Sequence, residues 1–434
     1  MERKMKDSGI PWIGAIPEHW KIARIKDIYS FQTGATPPSK TESFYDGDNL
    51  WANIGDIDGK TIFETSKHLS DEGVSVCSMN ISPKGSLLYS FKLSVGQVAF
   101  CGVDMYTNEA IATFIGEPTA LSYLYYVAPL FIVFNANTNI YGAPILNQDL
   151  IKNAIIPVPP LAEQERIASY LDEKCGEIDE LIDVEQQMIC DLESYRQAVI
   201  TEAVTHGLNP NAPKKQSTIQ GIKDIPFNWN EVNLLKVIYL RARLGWRGLK
   251  AEEYVDEGYP FLSAFNIVNN QLVWENLNFI NQLRYDESPE IKLSLHDILI
   301  VKDGAGIGKC ARVENMPLGE STVNSSLGVI TVSETLYYSY LYYFFLSTPF
   351  QDNVLFLKNG MGVPHLTQEN LKSVRIPLPP VDEQKAIANF LDSKCFEIDG
   401  LIKVKQEKIE TLKQYRQSLI FEAVTGKTLI TNNA

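Results

Sequence analysis

A chain of 434 residues exceeds what one ordinary hydrophobic core organises, so two or more domains are expected. Hydrophobic residues at 45% and charged residues at 21% are globular proportions and exclude an extensively disordered or low-complexity chain. The formal charge of −14 speaks against a nucleic-acid partner only until it is located: residues 161 to 205 hold 12 acidic and 3 basic side chains, so −9 of it lies in that one segment.

In chain order, MERKMKDSGIPWIG lacks the apolar run of a signal peptide, and AIPEHW (15–20) opens a stretch of mixed pattern. Short β-like runs alternate there with turns rich in Gly, Asn and Asp, among them the loop QTGATPPSK (32–40) and the turn in SFKLSVGQV (90–98). LSYLYYVAPLFIVF (121–134), the longest apolar run, has 14 residues and an internal Pro129. It is too short to span a bilayer and reads as packing core in preference to a base-stacking platform. ANTNIYGAP (136–144) approaches the next element through a Gly-x-Pro step.

IPVPPLAEQERIASYLDEKCGEIDELI (156–182) then changes the period. Its Pro-Pro pair stops the preceding element and suits a helix start, and no further proline occurs for more than 40 residues. Leu171, Cys175, Ile178, Ile182, Ile189, Leu192, Val199 and Ala203 fall on alternating four- and three-residue steps, the heptad seam of a long helix. Glu185 and Arg196 alone interrupt it.

The chain then repeats itself. DIPFNW (224–229) matches AIPEHW, and NLLKVIYL (233–240) and HDILIVK (296–302) read as strands. RARLGWRGLK (241–250) stands where the first copy has QTGATPPSK, and KDGAGIGKC (302–310) where it has SFKLSVGQV. LYYSYLYYFFLSTPF (336–350) and LKNGMGVP (357–364) repeat the aromatic run and the Gly-x-Pro step. Residues 376–425 match 156–205 without a gap at 29 of 50 positions, which is an internal duplication. The second helix has its own seam (Leu391, Cys395, Ile398, Ile402, Ile409, Leu412, Leu419, Ala423), interrupted at Lys405 and Arg416. Asp183, Glu185 and Glu193 of one helix correspond to Lys403, Lys405 and Lys413 of the other, a bias that favours pairing of the two helices over self-pairing.

The order is therefore globe, rod, globe, rod. Such a chain is expected to fold back with its rods antiparallel and its heads at opposite ends, giving pseudo-twofold symmetry. A helix of 44 residues spans about 66 Å, close to the ~70 Å of two turns of B-DNA, so a rod could act as a ruler between two contact points.

Other motifs carry less. KDGAGIGKC approximates a phosphate loop but has Asp303 in place of the first Gly and Cys310 in place of Ser or Thr, which leaves a strand-to-strand turn or a grip on DNA phosphate. NPNAP (209–213) is a linker, not the motif of an amino-methyltransferase, and EQK (383–385) lies on the rod opposite EQE. Five scattered histidines form no ligand set, and six cysteines show no CxxC spacing. The chain reads as reduced, cytoplasmic and metal-free.

PLPP followed by EQ, an Ile, a Leu-Asp pair and a long helix closing on YRQ and EAVTG resembles the conserved regions of type I restriction-modification specificity subunits, along the whole chain and twice over. The resemblance implies an α+β fold: two mixed α/β target recognition domains (1–155 and 209–375), each followed by a conserved spacer helix (156–208 and 376–434), with the helices paired as an antiparallel coiled coil. It implies a subunit without catalysis of its own, each domain reading one half of an asymmetric bipartite site in double-stranded DNA while the helices set the spacer. Two methyltransferase subunits would dock on it and restriction/translocase subunits would join them, so S-adenosylmethionine, ATP and Mg2+ would belong to those partners and none to this chain. Two other readings stay open: a targeting subunit of another restriction-modification class, told apart by its copurifying partner, and a helical scaffold that binds only protein and shows no salt-dependent affinity for DNA.

The parts that differ between the heads are where sequence choice is expected. Arg241, Arg243, Arg247 and Lys250 surround Trp246 on a Gly-punctuated loop suited to phosphate or guanine, opposite the loop with Thr36. Lys92 and Gln97, with Lys302 and Lys309 in the second copy, are further candidates. So are Asn137, Asn139 and Tyr141 beside the first Gly-x-Pro, and Lys358 and Asn359 beside the second. Asn and Gln pair adenine edges and Lys holds phosphate, although Asn is also a common turn residue and a basic turn is often only solvated.

Overall fold

The computed structural model describes residues 3–138, 142–242, 249, 251–304, 306–358, 366, 370–371 and 374–431, with backbone alone at 251 and 356–358. The chain divides into two compact units, Met1–Glu185 with Glu407–Ala434, and Gln186–Gln406.

The first unit is built on a sheet ordered Ser30–Thr33, Ile111–Ile115, Leu87–Ser90, Val98–Cys101, Thr61–Ile62. Leu87–Ser90 is buried along its whole length. A smaller sheet pairs Asn49–Ala52 in parallel with Tyr106–Thr107 and antiparallel with His68–Leu69. The aromatic run forms the helix Pro118–Phe131, in which Leu121, Tyr123, Leu124, Tyr126, Val127, Ala128 and Phe131 are buried. That burial makes the run core. Lys21–Arg24 pairs with Ile155–Val158, joining the head's start to its end just before the first rod.

The second unit repeats this plan. Its sheet runs Ile238–Arg241, Leu327–Val332, Ile298–Val301, Cys310–Arg312, and Tyr259–Leu262 pairs in parallel with Thr322–Val323. Asn230–Asn233 pairs with Arg375–Leu378, and the helix Tyr338–Leu346 is buried from Ser339 to Leu346. NLLKVIYL is not one strand. The side chain of Asn233 accepts from the Leu235 amide at 3.1 Å and caps the 3-10 turn Leu234–Lys236, so the strand begins only at Ile238. A second difference follows Asn266: Gln271–Leu272 pairs with Ile267–Val268 as a hairpin, whereas Thr61–Ile62 in the first unit joins the main sheet.

The rods are uninterrupted helices, Leu161–His206 of 46 residues and Val381–Val424 of 44. Each begins after its Pro-Pro pair, where the buried Gln164 and Gln384 donate from Nε2 to the carbonyls of Pro159 (2.9 Å) and Pro379 (2.8 Å). That closure explains the glutamine of the EQ pair. Within the first unit Asp179 meets Arg416 at 3.0 Å and the buried Glu185 meets Lys408 at 2.6 Å. Within the second, Arg196 meets Asp399 at 2.8 Å. One number rises as the other falls, so the helical segments run antiparallel. Glu185, Arg196 and Arg416, which interrupt the seams, are thus met by opposite charges on the other helix.

Each head is closed by the helix from the other repeat. Tyr123 donates to the carbonyls of Pro157 (3.1 Å) and Val424 (3.2 Å), and Tyr340 to those of Pro377 and Val204 (both 3.0 Å). The carbonyls of Val424 and Val204 lie in the last turn of a helix, where no intrahelical donor remains for them. Trp20 and Trp229, the tryptophans of the two IPxxW entries, are fully buried beside Gly426 and Gly207, which follow those helix ends at φ +70° and +77°. Both glycines hold the left-handed C-terminal position.

Arg241 ends its strand inside the second unit. Its guanidinium meets the buried Asp297 at 2.6 Å, Thr331 at 2.9 Å and the Lys292 carbonyl at 2.8 Å, and Asp297 also accepts from the Ser294 amide at 2.8 Å.

Two predictions follow from these contacts. A Cβ at Gly426 would lie 2.5 Å from Pro17, whereas one at the mid-helix Gly176 meets nothing within 4 Å. In chemical denaturation Gly426→Ala should therefore destabilise, while Gly176→Ala should stabilise by about 0.5–1 kcal/mol. Arg241→Met strands a buried carboxylate and should cost about 3–5 kcal/mol, read as a lowered unfolding midpoint; an unchanged midpoint would refute the structural role.

Candidate nucleic-acid interface

In the first unit the candidates gather around the turn that joins Leu87–Ser90 to Val98–Cys101. The Ser90 amide donates to the Gln97 carbonyl and the Gly96 amide to the Ser90 carbonyl, both at 2.9 Å, with Gly96 at φ +96°. Lys92, Leu93, Ser94 and Gln97 are all exposed on this loop. Thr36 is exposed on the neighbouring loop, which is held by the Ala35 amide on the Thr107 carbonyl (3.0 Å) and by Trp51 Nε1 on the Ala35 carbonyl (3.0 Å). The Thr36 hydroxyl donates to Glu109. Burial works against the Glu109 charge, but the Thr36 hydrogen bond, its own backbone amide and the nearby Lys92 outweigh it and hold the pKa below the usual glutamate value. Thr36 and Lys92 are thus brought together about an anion, with Lys92 left exposed to a second one.

Gln97 faces an adjoining open groove of about 580 Å³ whose walls are Asn53, Gly55, Asp58, Leu93, Ser94 and Asn108. Asn53 and Asn108 are turn residues: the Asn53 side chain accepts from the Gly55 amide at 2.8 Å and that of Asn108 from the Ala110 amide at 3.0 Å. Their amide nitrogens stand at the ends of two parallel strands, where loops meet. Asn53 Nδ2 donates to the Ser66 hydroxyl at 3.0 Å. Asn137 lies elsewhere, exposed on the two-residue strand Asn137–Thr138 that pairs with Pro144–Ile145.

The second unit repeats the turn with longer spacing. The Gly308 amide bonds the Val301 carbonyl at 2.9 Å and the Val301 amide the Lys309 carbonyl at 2.8 Å, so Lys309 occupies the place of Gln97. It is exposed and lines a cavity of about 350 Å³ with Asn269, Asn270 and Gln351. KDGAGIGKC is therefore a strand-to-strand turn. Lys302 is half-buried at its root, its amide on the Ser326 carbonyl at 2.8 Å. Arg241 is drawn inward by Asp297. Asn139, Tyr141, Arg243, Trp246, Arg247 and Asn359 lie outside the described residues, as does the side chain of Lys358.

Sequence reading passed over the turns at 53–56 and 263–266. Their signal was available in the duplication. Ala52 and Leu262 pair with Thr107 and Val323, and the Asn108 and Asn324 amides bond the carbonyls of Ala52 (2.9 Å) and Leu262 (2.8 Å), so ANIGD and LSAFN are the same element. Among the described residues no cluster of His, Cys, Asp and Glu is arranged to hold a metal ion, and no helix is long and apolar enough to cross a membrane.

Comparison with known proteins agrees with this architecture. The chain is 27% identical to the type I restriction enzyme MjaIX specificity subunit of Methanocaldococcus jannaschii and 24% identical to the MjaVIII specificity subunit of the same organism, each over 96% of this chain and 95% of the relative. Among solved structures, a chain from work on the complex assembly and conformational transition of the type I R-M system superposes with a TM-score of 0.71 at 19% identity, covering 95% of this chain and 99% of that one, which shows the fold. The model of the type I restriction modification DNA specificity domain matches residues 17–192 and again 227–414, most of both repeats, and the chain belongs to that family.

Proposed function

We propose that each head reads one half of an asymmetric, gapped site in double-stranded DNA and that the paired rods hold the two readings at a set spacing. The observation that carries this is the duplication of a whole reading unit: two sheets sharing one four-strand order, each with its loop cluster at the same strand ends, on helices of 46 and 44 residues. At 1.5 Å per residue each rod is about 66–69 Å long, against ~70 Å for two turns of B-DNA.

The chemistry of cutting and methylation is assigned to partners. In this reading two methyltransferase subunits bind the chain, restriction/translocase subunits join them, and S-adenosylmethionine, ATP and Mg2+ are bound there. The description of the matching family as a DNA specificity domain supports a recognition subunit that is itself non-catalytic, and we place it in the cytoplasm with the DNA it would read. The acidic first rod does not oppose this, since −9 of the net charge lies between residues 161 and 205 and not on the loops.

The test inserts four residues, about one helical turn, into each rod at matched positions after Glu185 and Lys405. With the methyltransferase subunits present, sequencing of methylated DNA should show the same two half-sites separated by a longer gap, whereas an insertion in one rod alone should abolish modification. An unchanged gap after the matched insertion would sink the ruler.

A further inference from the structure

We propose that Phe265 in the second head and Leu93 in the first are specificity-determining contacts, each an apolar side chain that each head presses onto a base in its half-site; this rests on the DNA-reading function above. Both are almost wholly bare, Phe265 at 92% and Leu93 at 91% exposure, the two highest values among the exposed large apolar side chains. A single bare apolar residue is ordinary on a protein surface, and exposure alone would argue nothing. Placement and rigidity argue here.

Phe265 sits on the turn equivalent to Asn53–Asp56, at the position of Gly55, which lines the groove of the first head. Leu93 lines that same groove from the facing turn. Among the described residues the two heads therefore each carry an almost bare apolar tip on the same loop cluster, but on different walls: the first has glycine where the second has Phe265. Shared scaffold with a relocated apolar tip is the pattern expected where two heads read different bases.

Neither tip is loose. The Ser263 amide (2.9 Å) and hydroxyl (3.1 Å) both bond the Asn266 side chain, the Asn266 amide bonds the Ser263 carbonyl (3.0 Å) and the Val273 amide bonds the Asn266 carbonyl (2.9 Å), clamping the turn on both sides of Phe265. Leu93 is held at φ +61°, a left-handed conformation that disfavours leucine, with its carbonyl accepting from the Val95 amide at 2.9 Å. Strained backbone that keeps an apolar side chain in solvent is retained at functional sites. In the first head the polar neighbours Asn53, Gln97 and Asn108 line the same groove as Leu93 and supply donors and acceptors for base edges and phosphate around that tip. The chemistry that an apolar tip adds is contact with a thymine methyl or with the face of an unstacked base.

The experiment uses the full chain with its methyltransferase subunits and duplex DNA carrying the site found by methylation sequencing. Phe265→Ala should keep the melting temperature, make one base pair of a single half-site degenerate and weaken binding about 10- to 100-fold at that site. Phe265→Leu should restore part of the loss, and Leu93→Gly should do the same damage to the other half alone. Replacing thymine by uracil at the affected pair separates the two chemistries: a methyl contact loses affinity in the wild type and not in Phe265→Ala, whereas a stacked base is insensitive. Unchanged half-sites and affinity in both variants overturn the proposal. A wild-type complex with no sequence-dependent binding overturns the DNA-reading function on which it rests.

Discussion

Everything in this molecule depends on each head being finished by a helix from the other repeat. Tyr123 ties the Val424 carbonyl to that of Pro157 across 301 positions of sequence, and Tyr340 does the same for Val204 and Pro377 across 136 and 37. These are buried carbonyls in the last turn of a helix, and leaving one without a donor costs about 1–3 kcal/mol. Trp20 and Trp229 seal the same junctions, so neither repeat has a complete core of its own. The duplication is therefore not two copies of a domain in tandem but two halves that complete one another.

The rods are specified by a seam that is mostly apolar and locally ionic. Leu171, Ile178, Ile189 and Ala203 of one helix and Leu391, Ile398, Ile409 and Ala423 of the other are buried. Asp179 with Arg416, and Asp399 with Arg196, are the same pair of repeat positions used once in each unit. A parallel or shifted register would separate these charges, so their worth lies in selecting the antiparallel register more than in raw stability. Much of the acid of the first helix, Glu173, Glu177, Glu180 and Asp183 among it, is exposed on the rod.

The heads divide labour between a fixed sheet and variable turns. The same strand order, the same glycine-closed turn at Gly96 and Gly308 and the same asparagine at 108 and 324 recur in both, while the side chains presented by those turns differ. Arg241 is instructive: on chemistry alone it is a DNA-binding arginine, yet Asp297, Thr331 and the Lys292 carbonyl take its guanidinium inside the sheet. A cation in a basic loop serves whichever anion is nearer and better desolvated.

The large features can be read along the chain, because they are written in period and repetition. The rods were legible from a heptad that runs between a Pro-Pro start and EAVT, the duplication from 29 matches in 50, and the core role of the aromatic runs from their recurrence. The site was legible only as a set of loops. That Thr36 and Lys92 converge on Glu109, that Gln97 and Lys309 hold one place, and that Arg241 turns inward are facts of strand pairing between residues tens of positions apart. Period and composition describe neighbours along the chain, whereas these contacts are chosen by hydrogen bonding between strands and by burial, and only the tertiary structure decides them.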